Sequence, residues 1–122
     1  MTANHAEAVR KHRIDLLHMG GTLAALIETV SGDGHLLIAN VAVSPAFQNR
    51  GFGRRLLAHA EQSAAAQGHP VVRLFTNKLF AANVQLYRRL GYGVDREERS
   101  GLGITVYMSK PVQIEGRQTE WR

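Results

Sequence analysis

The feature that most constrains the fold is a nearly continuous apolar run, HLLIANVAV, at residues 35–43. The run ends at Ser44 and Pro45, and a glycine-rich segment and a helical pattern follow it. Runs of this kind are typical of strands that are covered on both faces, so we expect an interior strand of a sheet. A buried strand that leads into a helix favours an α/β architecture.

Periodicity predicts the remaining elements around this strand. Two strands precede it, at residues 14–21 and 22–30, and SGDG at residues 31–34 is the clearest hairpin turn. The order of strand, strand, strand, helix, strand, helix, strand predicts a mixed central β-sheet with flanking helices. Its first part is an antiparallel meander, and its middle is a parallel strand–helix–strand passage. The later elements are a helix at 52–67, a strand at 71–76, a helix carrying Phe80, Val84, Tyr87 and Leu90 that ends at Gly91, and a strand at 104–110.

Length and composition restrict the class of protein. The 122 residues allow one domain, which we place at 14–110, after a polar N-terminal arm at 1–13 and before a C-terminal tail at 111–122. The chain has no cysteine, which excludes a disulfide scaffold and a thiolate metal site. No apolar stretch is long enough to cross a bilayer, so we expect a cytoplasmic protein without membrane contact. The histidines, His5, His12, His18 and His35 among them, follow no compact ligand spacing, and we expect no metal.

The formal net charge of +5 indicates an anionic partner, either nucleic acid or a phosphorylated small molecule. Arginines are concentrated where the predicted helix begins, beside QNRGFG at residues 48–53. Helix N-termini carry unpaired N–H groups and bind anions, and Gly51 and Gly53 let oxygen atoms approach them. A pyrophosphate would fit this loop, although a solvated loop is the plain alternative. The arginines are Arg50, Arg54 and Arg55.

Two motifs in order along the chain resemble the GCN5-related N-acetyltransferases (GNAT) over residues 14–110. The first is VAVSP at residues 41–45 with QNRGFG at 48–53 and a Leu-Leu pair; the second is Asn83 followed by LYRRLGY at 86–92. The resemblance implies the acyl-CoA N-acyltransferase fold with an abbreviated N-terminal part. It also implies an acetyl-CoA-dependent N-acetyltransferase that acts on a primary amine of a small molecule or a protein.

The resemblance further implies individual roles. The backbone of Val41 and Val43 would pair with the pantetheine arm of the coenzyme, in a cleft where the strands carrying Val43 and Val71 splay apart. Tyr87 would stand beside the sulfur as general acid, and a backbone N–H near Val41 would stabilise the thioester oxygen. The cofactor-binding residues implied are Val41, Ala42, Val43, Gln48, Asn49, Arg50, Gly51, Phe52, Gly53 and Asn83.

The general base stays open in the sequence. An alkyl ammonium, with a pKa near ~10.4, must lose a proton before it attacks the thioester. The strands expected beside the cleft carry no carboxylate, which leaves Glu28, one strand earlier, and His35, acting directly or through water. Each of these could equally be a surface residue at a strand edge, and Tyr87 could be a core residue of its helix.

Three functions compete. The leading one is the N-acetyltransferase, with acetyl-CoA and an amine acceptor as partners and a homodimer as a further hypothesis. The alternative is a catalytically impaired acetyl-CoA-binding module that needs a partner subunit, because the family's usual strand and two helices that wall the acceptor pocket are abbreviated before Ile14. That wall would then be missing, supplied by a partner, or replaced by the arm. Binding of nucleic acid through the basic surface ranks last, since no nucleic-acid motif is visible.

Overall fold

A six-stranded sheet with the strand order β1-β2-β3-β4-β6-β5 is the frame of the computed structural model, which describes residues 11–101 and 103–113. Strands β3 and β4 are parallel, and all other neighbouring strands are antiparallel. The predicted mixed sheet with flanking helices is therefore confirmed. The elements are β1 Lys11–Met19, β2 Thr22–Ser31, β3 Leu36–Val43, a 3-10 turn Pro45–Phe47, α1 Phe52–Ala66, β4 Val71–Asn77, α2 Ala81–Arg89, β5 Gly93–Ser100 and β6 Gly103–Pro111.

Three details of the prediction are corrected. Strand β1 begins at Lys11, so residues 11–13 of the predicted arm belong to the sheet, and β6 extends to Pro111. Residues 1–10 and the tail from residue 114 onward lie outside the described residues. Strand β5 is absent from the prediction because GVDREERS is exposed at every position and shows no apolar alternation. Its pairing with β6 makes it a strand, which illustrates how far strand formation depends on neighbours.

One core lies between the sheet and both helices. Helix α1 packs on β2, β3 and β4, and the apolar side of α2 closes the same core at its edge. The two crossovers, β3 to β4 and β4 to β5, run in the same direction across the sheet. Because both connections are right-handed and progress in the same direction, their helices, α1 and α2, lie on the same face of the sheet. The fully buried side chains of this core include Ile27, Leu36, Leu57, Val72, Val106 and Met108.

The opposite face of the sheet is covered by neither helix. Ile14 and Phe75 on this face are 58% and 47% exposed. In β3, Asn40 and Ala42 are exposed as well. The prediction that this strand is covered on both faces is therefore wrong for the described residues: β3 is interior in strand order, but helices pack on one side of it.

Helix α2 ends in a Schellman motif that brings Tyr92 against Tyr87. Gly91 adopts a φ of 102°, its N–H donates to the carbonyl of Arg88 at 3.1 Å, and the Tyr92 N–H donates to the carbonyl of Tyr87 at 2.9 Å. The two tyrosine rings meet edge to face, with centroids 6.2 Å apart. Helix α1 ends in the same way at Gly68, so both predicted helix ends are confirmed.

A polar cluster ties the end of α2 to α1 and β6. The Tyr92 hydroxyl donates to one oxygen of Glu61 at 3.0 Å, and the ammonium of Lys110 donates to the other oxygen at 3.0 Å. Burial, and then the neighbouring Glu61 carboxylate, raise the pKa of Tyr92 far above its ordinary value. Both carboxylate oxygens thus have partners in a partly buried site, as buried polar groups require.

We expect the substitution Tyr92→Phe to lower the free energy of unfolding by about 1–2 kcal/mol, because it removes a hydrogen bond to a carboxylate and keeps the ring. Urea denaturation at neutral pH measures this loss. The folded-state pKa of Tyr92 is raised, so its contribution is fully present below pH ~10 and declines as the pH rises further. The variant lacks this part of the alkaline decline.

Tyr107→Phe is the matched control, since the Tyr107 hydroxyl bonds to Glu98 on the exposed side of the sheet. Little change is expected for the control. Equal losses in the two variants would show that the Glu61 cluster has no special role in stability.

Candidate active site

The parallel pair of strands β3 and β4 opens into a cleft partway along its length. The pairing extends over three residues of each strand and stops at Ile38 and Leu74. Strand β3 continues to Val43 and β4 continues to Asn77 without pairing to each other. The predicted splaying of these strands is confirmed, and it leaves backbone groups along both strands facing the gap.

A β-bulge in β3 starts this opening. Thr29 of β2 pairs with Ile38, and its neighbour Glu28 pairs with Asn40, so Ala39 is the extra residue of β3. A bulge bends its strand and increases the local twist. Strand β3 therefore turns away from β4 directly after their last pair.

A cavity of about 420 Å³ occupies the opening between β3, β4 and α2. Three of the residues predicted for the site line it, namely Val41, Asn83 and Tyr87. Neutral polar side chains outside the set of predicted site residues also line it: Asn40, Thr76, Asn77, Ser100 and Thr105. No carboxylate is among the described residues that line this cavity.

A second cavity of about 560 Å³ lies at the start of α1 and shares Asn83 with the cleft. It contains most of the predicted loop, with Val43, Gln48, Asn49, Gly51, Phe52 and Gly53 in its lining. Arg54, one of the arginines noted beside the loop, lines this cavity as well, and so does Leu86 of the LYRRLGY motif, which the sequence analysis did not include among the site residues. Ala42 and Arg50 line neither cavity, and the Arg50 guanidinium lies over the Phe47 ring at 5.4 Å.

Backbone geometry opens the start of α1 toward this second cavity. Gly51 is the N-cap, with a φ of 85°, and it provides no side chain to cap the helix. The first helical hydrogen bond runs from the Arg55 N–H to the Gly51 carbonyl at 3.0 Å. The N–H groups of Phe52, Gly53 and Arg54 therefore have no helical partners, as at any helix N-terminus. The Gln48 side chain donates to the Val43 carbonyl at 3.1 Å and ties the loop to the end of β3.

Tyr87 lies at the junction of the cleft and the core. Its ring packs against Tyr92, and burial raises the pKa of its hydroxyl above the ordinary value. The group is consequently protonated at neutral pH and can act as a donor. The Tyr87 hydroxyl makes no hydrogen bond to any other described residue, and Tyr87 lines the cleft cavity.

The two base candidates lie outside the cleft cavity. Glu28 stands on the uncovered face, across from Asn40 in the register of β2 and β3. Its carboxylate is hydrogen-bonded to Nε2 of His12 on β1, a partner that the sequence analysis missed. The sequence analysis placed His12 in the polar arm, and only the pairing of β1 with β2 brings it to the same side of the sheet as Glu28. His35 donates from Nδ1 to the Asp33 carbonyl at 3.2 Å and is held in the hairpin turn.

The described ranges contain neither a cluster of metal-binding side chains nor a helix that could cross a membrane. No group of three or more histidine and carboxylate side chains converges there in a way that could hold a metal ion. No helix in the same ranges has the length and apolar character that a membrane crossing requires.

A family model described as the acetyltransferase (GNAT) domain matches residues 11–94. The chain therefore belongs to this family, which confirms the resemblance carried by the two sequence motifs. No curated protein sequence matches the chain.

Solved structures with the same fold include an N-acetyltransferase and two proteins in complex with coenzyme A or acetyl coenzyme A. The ribosomal-protein-S18-alanine N-acetyltransferase of Escherichia coli is 23% identical over 94% of this chain and 88% of its own, with a TM-score of 0.77. The PaiA N-acetyltransferase of Thermoplasma acidophilum, solved with coenzyme A, is 18% identical over 88% of this chain and 65% of its own, with a TM-score of 0.72. A Bacillus anthracis protein in complex with acetyl coenzyme A is 19% identical over 84% of this chain and 63% of its own, with a TM-score of 0.76.

Proposed function

We propose that this protein transfers an acetyl group from acetyl-CoA to a primary amine. The observation that carries this proposal is the pair of cavities that meet at Asn83, one between splayed strands and one at a helix start with unpaired N–H groups. A long ligand with a diphosphate near one end and a thioester at the other has the shape and charge for this pair. Coenzyme complexes of proteins with the same fold support the same ligand.

The loop before α1 holds the pyrophosphate in this proposal. The N–H groups of Phe52, Gly53 and Arg54 point out of the first turn of the helix, where the partial positive charge of the helix favours an anion. Gln48, Asn49 and Gly51 form the rest of the wall, and the Arg54 side chain adds a charge at the cavity. Arg50 contributes to the positive surroundings of the loop rather than to its lining.

Strand β3 holds the pantetheine arm. Beyond Ile38 it has lost β4 as a partner, so backbone groups of residues 41–43 on that side can pair with the amides of the arm. This is the addition of an extended ligand to an open strand edge. Asn83, which lines both cavities, contacts the arm where it passes from one to the other.

The chemical step is direct attack of a neutral amine on the thioester carbonyl carbon. A C–N bond forms, negative charge develops on the carbonyl oxygen, and a backbone N–H near Val41 stabilises it. The C–S bond then breaks and its electron pair goes to sulfur. Tyr87 gives the sulfur its proton, and the proton lost by the amine returns to Tyr87 through water. The products are the N-acetyl amine and free coenzyme A.

The first proton leaves the amine through water toward Glu28. Asn40 lies between this carboxylate and the cleft. The proton therefore reaches Glu28 through water, without direct contact between Glu28 and the amine. His12 holds the carboxylate in place by its hydrogen bond. Such a relay matters most below pH ~10.4, where an alkyl amine is mainly protonated.

We expect Tyr87→Phe to lower kcat about 100-fold or more and to leave the dissociation constant for coenzyme A unchanged, because the hydroxyl acts on the departing sulfur. Steady-state kinetics by thiol release and calorimetric titration give the two quantities. Burial raises the pKa of Tyr87, so the hydroxyl stays protonated at neutral and mildly alkaline pH, and the activity ratio of wild type to variant stays constant between pH 7 and about 9. Equal kcat values for wild type and Tyr87→Phe would remove Tyr87 from the mechanism.

We expect Gly53→Ala to weaken coenzyme A binding about tenfold or more while keeping or raising stability. An added Cβ would meet only the Val43 side chain, at 4.0 Å, so the protein itself has room for it. Alanine also favours the helix by up to ~1 kcal/mol over glycine. The methyl group lies beside N–H groups that must approach phosphate oxygens, and calorimetry and thermal unfolding separate the two effects.

Gly93→Ala provides the matched control, because its added Cβ meets nothing within 4 Å and the position lies on β5, away from the loop. Its affinity for coenzyme A should match that of wild type. An unchanged affinity in Gly53→Ala would place the pyrophosphate elsewhere.

The second candidate function is an acetyl-CoA-binding module that needs a partner subunit for catalysis. The lack of a carboxylate in the described lining of the cleft favours it over the enzyme. Saturable coenzyme binding without acetylation of any amine, restored by a second protein, would support this alternative. A homodimer and a cytoplasmic location also remain predictions, and sedimentation at micromolar concentration tests the first.

A further inference from the structure

A third cavity, of about 400 Å³, lies on the uncovered face of the sheet and is lined by residues of β3, β4, β6 and β5. It shares Leu74 and Phe75 with the cleft. The two cavities therefore meet at the point where β3 and β4 separate. A molecule held in the third cavity would reach the cleft from the side opposite to the helices.

Aromatic rings form part of the wall of this cavity. Phe75 and Tyr107 pair across β4 and β6, with ring centroids 6.0 Å apart. Phe75 is 47% exposed. Such a surface can bury the carbon chain of a small ligand while leaving its polar ends to be recognised by other groups.

One arginine of this cavity has no ion pair with any described residue. The Arg96 guanidinium donates to Glu98 at 2.8 Å and lies 3.9 Å from the centre of the Tyr107 ring. The carboxylate of Asp95 accepts from the Ser109 hydroxyl at 3.0 Å. Arg73, by contrast, has no ion pair, hydrogen bond or ring contact to its side chain from any described residue. It faces this cavity as an available partner for an anion.

The spacing along β4 relates this charge to the reaction site. Arg73 and Phe75 lie on the same face of the strand, two residues and therefore about 6.6 Å apart. Phe75 is where the cavity joins the cleft. An anionic group bound at Arg73 would thus place an amine several carbon atoms away at the mouth of the cleft.

We propose that this cavity is the acceptor subsite and that it takes a small ω-amino acid, with the carboxylate bound by Arg73 and the amine directed into the cleft. The planar guanidinium suits two parallel hydrogen bonds to a carboxylate. The carbon chain lies against Phe75 and Tyr107. This inference rests on the proposed acetyl transfer, and it specifies the substrate class for that reaction.

The test compares β-alanine, 4-aminobutyrate and 5-aminopentanoate with their primary amides, which keep the amine and the chain length and lack the carboxylate charge. Thiol release at saturating acetyl-CoA gives kcat/KM for wild type, Arg73→Met and Arg73→Gln. We expect wild type to favour at least one acid over its amide about tenfold or more, and both variants to lose that preference while acetylating the amides as wild type does. Arg99→Met, at an exposed arginine of β5 outside the cavity, should behave as wild type.

A binding measurement separates failure of the subsite from failure of the enzyme. Backbone amide NMR signals of wild type and Arg73→Met are recorded with each acid, with and without coenzyme A. Shifts near Phe75 and Tyr107 that disappear in Arg73→Met, without acetylation of any amine, would keep the subsite and overturn the acetyl transfer. Acids and amides acetylated equally by wild type, or an acid preference that survives in both Arg73 variants, would overturn the subsite and keep the enzyme.

Discussion

The loss of pairing between β3 and β4 after Ile38 is the constraint on which the candidate site depends. Backbone N–H and C=O groups need partners, and an interior strand normally satisfies them on both sides. The bulge at Ala39 removes one side at a defined residue, so the sheet acquires an open strand edge in its interior. A ligand with amide groups can then take the place of the missing strand. The cleft is consequently a product of sheet geometry, and the side chains of α2 only complete its wall.

The loop before α1 shows a second use of unsatisfied backbone. A side-chain cap at the start of a helix would stabilise the helix and would occupy the N–H groups that an anion needs. Gly51 provides no side-chain cap. Gly53 has a low helix propensity, but its small size leaves space beside the N–H groups. The chain thus keeps a weakly stabilised helix start that packing must hold in place. Phe52 supplies part of that packing, since its ring is buried against Phe47 with centroids 5.7 Å apart.

Much of the fold could be predicted from local patterns. The helix ends at Gly68 and Gly91 follow from the need for a left-handed residue, and the meander follows from its turns. Strand β5 could not be predicted, because its charged residues acquire strand geometry only from their register with β6. The contact between His12 and Glu28 was equally hidden, since it depends on the pairing of β1 and β2. The motifs selected the loop and Tyr87 as candidates from the sequence alone, whereas Arg73 became a candidate only when the structure showed its neighbours.

In the described residues, the core that stabilises the fold lies on one face of the sheet, and the exposed side chains of the uncovered face lie on the other. Ile27, Leu36, Val72 and Met108 hold the sheet together from one face, and their packing is untouched by the side chains on the other. Substitutions at distant, non-contacting positions change stability almost independently. Substitutions of exposed side chains on the uncovered face are therefore expected to change the free energy of unfolding little. A sheet built in this way can change the side chains of one face with little risk to the scaffold that the other face holds together.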